Sequence, residues 1–279
     1  MTILEFTLVV WLGSLGAGFL GSLTGLGGGV VIVPFLTLGL GVDLRYAIGA
    51  SLISVIATSS GAAAAYVREG YTNIRVGMFL EIATTMGAIA GGFLSGLLST
   101  QVLAIIFGIV LLYTAYLSYR PSAERNDENE QPDPLANHLK LDSTYPTPEG
   151  WQFYHVRRVP AGFGLMFVAG TLSSLLGIGS GALKVLALDR IMQLPFKVST
   201  TTSNFMIGVT AATGAGVYLN RGYIDPGLAM PVMLGVLLGS TLGARLLMWA
   251  SPRLLRYLFS AIILMLALQM LYKGFTASI

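Results

Sequence analysis

The sequence predicts an all-α integral membrane protein of two inverted repeats, each a Gly-broken helix pair or hairpin plus three transmembrane helices. Three observations predict it. The chain of 279 residues is 54% hydrophobic and only 10% charged, where soluble domains carry about 25% charged residues, so its solvent is lipid. Apolar stretches of spanning length follow one another with short breaks. The second half of the chain repeats the first.

The apolar stretches run at 4–24, 30–41, 46–67, 75–97 and 101–119, then at 159–176, 182–193, 198–219, 227–249 and 254–272. A span needs about 20 apolar residues. The stretches at 30–41 and 182–193 reach only about 18 Å at 1.5 Å per residue, too short for an untilted crossing. This divides the chain into a first transmembrane repeat (1–119), a polar linker (120–158) and a second transmembrane repeat (159–279). The linker includes ERNDENEQPDPLANH, in which charge and proline cluster without a hydrophobic period. Such a segment buries too little apolar surface to fold alone, so a flexible loop is expected. Glu5 and the lack of a basic leader argue against a cleavable signal peptide.

The repeat aligns without a gap at an offset of 152 positions. Gly25, Gly27 and Gly29 fall on Gly177, Gly179 and Gly181, and Gly18 falls on Gly170. Ser51 falls on Ser203, Thr58 on Thr210, Tyr66 on Tyr218, and Gly70-Tyr71 on Gly222-Tyr223. Gly87 and Gly91 fall on Gly239 and Gly243. Leu and Ala matches would be cheap between two apolar sequences; ordered Gly, Ser, Thr and Tyr matches are not. Gly87/Gly91 and Gly239/Gly243 read as close helix packing through small residues.

Charge chooses between two topologies. If 4–41 is one broken span, the halves are parallel and the basic residues divide nine against seven, which decides nothing. If 4–41 is a hairpin or two crossings, the halves are inverted and the division is twelve against four. The positive-inside rule then favours inverted repeats, a cytoplasmic linker and both termini outside.

Composition also removes function classes. Cysteine is absent, and both histidines, His138 and His155, lie in the linker. The membrane part therefore has neither a Cys or His nucleophile nor a His- or Cys-based metal site. An intramembrane enzyme would also want paired carboxylates in the spans, and they are missing. No cofactor is expected, and a net charge of +3 suggests no nucleic-acid surface. The expected partners are the bilayer and a small anion, and the small-residue faces would suit a homodimer.

The glycine runs carry the chemistry. Thr24-Gly25-Leu26-Gly27-Gly28-Gly29 interrupts the first apolar segment, and Gly177-Ile178-Gly179-Ser180-Gly181 its counterpart. Gly costs about 1 kcal/mol against Ala inside a helix, so such runs break it. Broken backbone at membrane depth survives only inside protein or beside a water-filled cavity. A break also frees helix-start N–H groups, a natural anion site, and inverted repeats would bring two such ends together near the midplane. The candidate anion-binding residues are therefore Gly27, Gly28, Gly29, Gly179, Ser180 and Gly181.

Lys184 stands where the first half has Ile32. A cation in an apolar segment is expensive and by default a functional candidate; its other reading is a lysine whose stem snorkels to the interface. Ser51, Ser203 and Asn204 could donate to an anion's oxygens; their other reading is helix capping and interhelical hydrogen bonding. Glu81 is the candidate for a coupling proton; its other reading is an interfacial carboxylate paired with Arg75 or Arg45. Its counterpart is Met233, so any role it has is not duplicated.

These motifs, GSLTGLGGGVVIVPFL with ASLISVIATSS and GYTN, then GTLSSLLGIGSGALKV with STTTSNFMIGVTAATGA and GYIDP, resemble the TauE/SafE family of sulfite exporters. The likeness covers nearly the whole chain outside the linker. It implies a bacterial inner-membrane transporter that moves small sulfur-containing anions outward, such as sulfite, sulfoacetate or other organosulfonates. The second half departs from the pattern, with GIGSG in place of GxGGG and Leu186 at the position matching Pro34. An alternating-access carrier is expected. An anion channel or a carrier for another small organic anion would share these features. Export could draw on the membrane potential alone, about 2.3 kcal/mol per charge per 100 mV, or on a proton carried by Glu81.

Overall fold

The helices begin and end close to the limits of the apolar stretches. The protein is described here by a computed structural model covering residues 2–24, 28–68, 70–119, 133–147, 149–247 and 252–276. In the first repeat these are α1 (Ile3–Thr24), α2 (Gly29–Pro34), α3 (Leu44–Arg68), α4 (Ile74–Leu97) and α5 (Thr100–Tyr119). The linker holds α6 (Pro134–His138), β1 (Ser143–Thr147) and β2 (Gly150–Tyr154). The second repeat holds α7 (Val159–Leu176), α8 (Gly181–Leu186), α9 (Phe196–Asn220), α10 (Pro226–Leu247) and α11 (Pro252–Thr276). Both α2 and α8 run on through a π-helical turn, Phe35–Gly39 and Ala187–Ile191. The two π turns obey the sequence offset of 152, so this geometry does not depend on Pro34, which Leu186 replaces.

Three of these helices are long and apolar enough to cross a membrane by length and composition: Ile3–Leu20, Ile74–Leu97 and Val159–Leu176. Their surroundings are those of a membrane protein. On α4 the side chains of Met78, Ile82, Met86, Ile89 and Phe93 are exposed, and on α10 so are Met230, Leu234, Leu238 and Leu242. Steps of three and four place each set on one helix face, where lipid is the natural solvent. Small and hydroxyl residues face inward instead.

Glycines set how closely the helices cross. On α4, a Cβ at Gly87 would lie 2.1 Å from the Phe167 carbonyl oxygen of α7. On α10, one at Gly239 would lie 2.0 Å from that of Leu15 on α1. Gly170 meets the Thr84 carbonyl at 2.1 Å and Gly18 that of Val236 at 2.4 Å. Phe167 and Leu15, like Thr84 and Val236, are 152 positions apart, so the two crossings duplicate each other atom for atom. Each repeat lends a helix to the other: α4 packs on α7, and α10 on α1.

The contacts fix helix directions. Tyr46 of α3 stacks edge-on against Tyr223 beyond the end of α9, while Ser59 lies beside Gly208, so α3 and α9 are antiparallel. On α5 and α11, Gly108 faces Leu271 and Ile105 faces Gly274, again antiparallel. By contrast α1 and α10 run parallel, as do α4 and α7. At the first break the chain reverses, because Gly13 faces Phe35 and Gly18 faces Gly28. The second does the same, since Arg157 N–H donates to the Met192 carbonyl at 3.0 Å and Gly162 packs on Met192. Each broken segment is therefore a hairpin, not one interrupted span. Its second arm, six α-helical and five π-helical residues, reaches only about 16 Å.

The linker is not wholly the flexible loop expected from its composition. Within 133–156 a short helix and a hairpin dock on the ends of α4, α7 and α9. Their anchors are polar contacts that hydrophobic periodicity does not report. Asp133 caps α6 by accepting from Leu135 N–H at 2.9 Å and accepts from Val159 N–H of α7 at 2.8 Å. Asp142 accepts from Val156 N–H and pairs with His155, both at 2.8 Å. Asn73, in the turn before α4, caps Val76 N–H and donates to Leu141 O and to the Tyr154 hydroxyl at 2.9 and 2.8 Å. Burial pushes the Tyr154 phenol up to about 12, so at physiological pH it stays neutral. Ala136, Leu141, Tyr154 and Val156 then join the same apolar cluster as Val76, Leu80 and Met166. Asn73→Ala is expected to cost about 2–3 kcal/mol through the lost cap and the orphaned buried acceptors. It should also open 133–156 to limited proteolysis. Unchanged protease resistance would mean the apolar contacts alone hold the hairpin.

Candidate functional site

The two hairpin tips meet inside the molecule. A Cβ at Gly29 would lie 2.6 Å from the Gly177 carbonyl oxygen and 2.8 Å from Ser51 Oγ, so only glycine lets the first break close on the second. Ser51 Oγ donates to the same Gly177 carbonyl at 2.7 Å. The second tip is built on left-handed backbone, with Gly177 and Gly179 both at φ +69° and Ser180 at φ +46°. Ser180 pays for that conformation without glycine's freedom, whereas its counterpart Gly28 is right-handed at φ −65°. A small crevice lies between the tips, lined by Val30, Val110, Thr114, Ser180, Gly181 and others, with room for little more than a single water, about 10 Å³. Ser180 Oγ is buried and has no hydrogen-bond partner.

One turn further along α8, below Ser180, is Lys184. It is fully buried at 0% exposure. Its Nζ donates to Thr210 Oγ1 of α9. Thr210 Oγ1 in turn donates to Glu81 Oε1 of α4 at 2.7 Å, and has Met206 O as a second acceptor at 3.0 Å. Glu81 is 8% exposed, and its Oε2 has no partner. Three helices thus converge on a lysine, a hydroxyl and a carboxyl group buried inside the protein.

The other candidates are placed as follows. Gly28 packs on Val236 and Gly179 on Val55 and Ile207; Gly27 lies outside the described residues. The hydroxyls of Ser51 and Ser203 are occupied by main-chain carbonyls, Ser203 with Gly181 O at 3.3 Å. They shape the breaks and do not point free protons at a ligand. Asn204 is half-buried and makes no hydrogen bond to a described residue. Glu81 pairs with neither Arg75 nor Arg45. Arg75 donates to Lys140 O at 3.2 Å, and Arg45 to Leu98 O at 3.0 Å at the far end of α4. Thr210 was not singled out from the sequence as a site residue. The offset that pairs it with Thr58 does not say that it will lie between the two buried charges, which come from other helices.

A polytopic bundle whose hairpins meet over a buried lysine has the build of a membrane transporter. The sequence matches the sulfite exporter TauE/SafE family over residues 10–270, and the chain belongs to that family. It is 28% identical to the probable membrane transporter protein YunE of Bacillus subtilis, over 97% of this chain and 99% of that one. It is 24% identical to the probable membrane transporter protein MJ0441 of Methanocaldococcus jannaschii, over 91% of each. The probable membrane transporter protein YdhB of Bacillus subtilis is 25% identical over 85% of this chain and 87% of that one. No solved structure matches.

Proposed function

We propose that the protein is a carrier of two inverted repeats that exports small sulfur-containing anions, sulfite or an organosulfonate, across a bacterial inner membrane. Lys184 supplies the charge that holds the anion. The observation that carries this is a fully buried lysine one helical turn from the junction of the two hairpin tips. A sulfonate has three oxygens, and Lys184 Nζ, the unpartnered Ser180 hydroxyl and main-chain N–H groups at Gly28, Gly29 and Gly181 offer it donors. Ser51, Ser203 and Asn204 form the wall behind.

Inversion of the repeats is supported by the antiparallel runs of the matched helices α3/α9 and α5/α11. It also accounts for the basic residues gathered at the linker end, the side read as cytoplasmic. Rocking of one repeat's unit against the other would give the tips access to each side in turn.

The test is thermal unfolding of the purified protein with sulfite, sulfoacetate, isethionate, taurine, sulfate and chloride. A ligand at 100 times its dissociation constant should stabilise by about 2.7 kcal/mol. The rise is expected with a sulfonate or sulfite and should vanish in the doubly changed Lys184→Met, Glu81→Gln protein. No rise with any of these anions would refute the sulfur-anion reading.

A further inference from the structure

We propose that each anion crosses together with one proton, which Glu81 takes up as the anion takes Lys184. This rests on Lys184 being the anion site, and it follows from charge in a confined place. With the site empty, Lys184 and Glu81 form a neutral unit bridged by Thr210. An anion drawn to Lys184 would leave that unit with one excess negative charge, buried inside the protein, where an unpaired charge is strongly disfavoured. A single proton on Glu81 restores neutrality. Glu81 Oε2, buried and without a partner, is the free position for it.

Thr210 lets the proton settle. Its one hydroxyl proton has two acceptors in reach, Glu81 Oε1 at 2.7 Å and Met206 O at 3.0 Å. When Glu81 is ionised, Thr210 donates to it. When Glu81 is protonated, Thr210 turns its proton to Met206 O and keeps a lone pair for Glu81 or Lys184. Thr210 is a positioning residue here.

No other charge among the described residues meets this group. On α4 Arg75 is bound to Lys140 O. On the π turn after α8, Asp189 and Arg190 pair at 3.5 Å. On α9 Lys197 lies over the Tyr71 ring at its start, and Tyr218 bonds Leu175 O at its far end. On α7 there is no titratable residue. The first repeat has no second copy, since Ile32 and Met233 stand at the matching positions and Thr58 bonds only carbonyls of its own helix. The stoichiometry is therefore one proton per anion, and a cycle carrying a monoanion is electroneutral. The membrane potential then does not drive export; the outward anion gradient does, and it must exceed any inward proton gradient.

The experiment uses the full-length protein in liposomes holding a pH dye, with isethionate as the probe. Its sulfonate stays ionised, so it cannot carry a proton through the lipid itself. An inward isethionate gradient should acidify the lumen, at a rate unchanged when valinomycin and potassium impose a potential of either sign. Glu81→Gln should move labelled isethionate by exchange yet lose the acidification. Isethionate uptake without acidification, or uptake that follows the imposed potential, overturns the coupling and leaves the anion reading standing. These two readouts need only the unaltered protein. Acidification preserved in Glu81→Gln also overturns it. No isethionate movement at all in the unaltered protein overturns the anion-carrier reading, and the coupling with it.

Discussion

Lys184→Met alone is expected to destabilise the protein by about 3–5 kcal/mol, and adding Glu81→Gln to recover most of the loss. Removing one partner of a buried ion pair strands the other charge in low dielectric, whereas removing both need not destabilise. Among the described residues Glu81 has no other cation to turn to, because Arg75 and Arg45 are held by Lys140 O and Leu98 O. Glu81→Gln alone should cost a similar amount by stranding Lys184. Thermal unfolding of the four proteins in the same lipid makes a double-mutant cycle. A coupling energy near zero would mean that the pair is not ionised together, and the charge argument for Lys184 would fail with it.

The second large effect is expected at the helix crossings, where the sign of a glycine substitution should depend on what faces it. At Gly87 and Gly239 a Cβ would enter the 2.1 and 2.0 Å spaces before main-chain carbonyls. Backbone cannot yield as a side chain can, so the helices must part, at a cost of about 1–3 kcal/mol or more. At Gly16 and Gly216 nothing lies within 4 Å. There Ala should be neutral or stabilising by up to about 1 kcal/mol, the ordinary helix preference. Gly87→Ala and Gly239→Ala should also match one another in size, because each fills the same crossing of the duplicated fold. Their melting temperatures against Gly16→Ala and Gly216→Ala are the check. A large loss at one crossing and none at the other would break the equivalence.

Much of this fold was legible in the chain, because lipid imposes a coarse rule that composition reports directly. Spans must be apolar and about 20 residues long, so the ten stretches sit close to the helices. Duplication then made the glycines informative, since ordered matches at one offset cannot come from composition. The cost of a lone cation in an apolar run pointed to Lys184, and the same reasoning pointed to Glu81.

Tertiary structure decided what those residues meet. The reversal at each glycine run depends on long-range contacts such as Gly13 with Phe35, which no local pattern encodes. Docking of 133–156 depends on Asn73, Asp133 and Asp142, single polar residues whose partners lie on distant segments. Ser51 and Ser203 look like ligand donors in a list of hydroxyls, but carbonyls only the fold brings close already hold them. The sequence by itself determined a duplicated membrane protein with two unusual charges in its apolar stretches. Only the packing of α4, α8 and α9 decided that those charges share one threonine, because side chains 103 positions apart become neighbours through helix crossings that glycine permits.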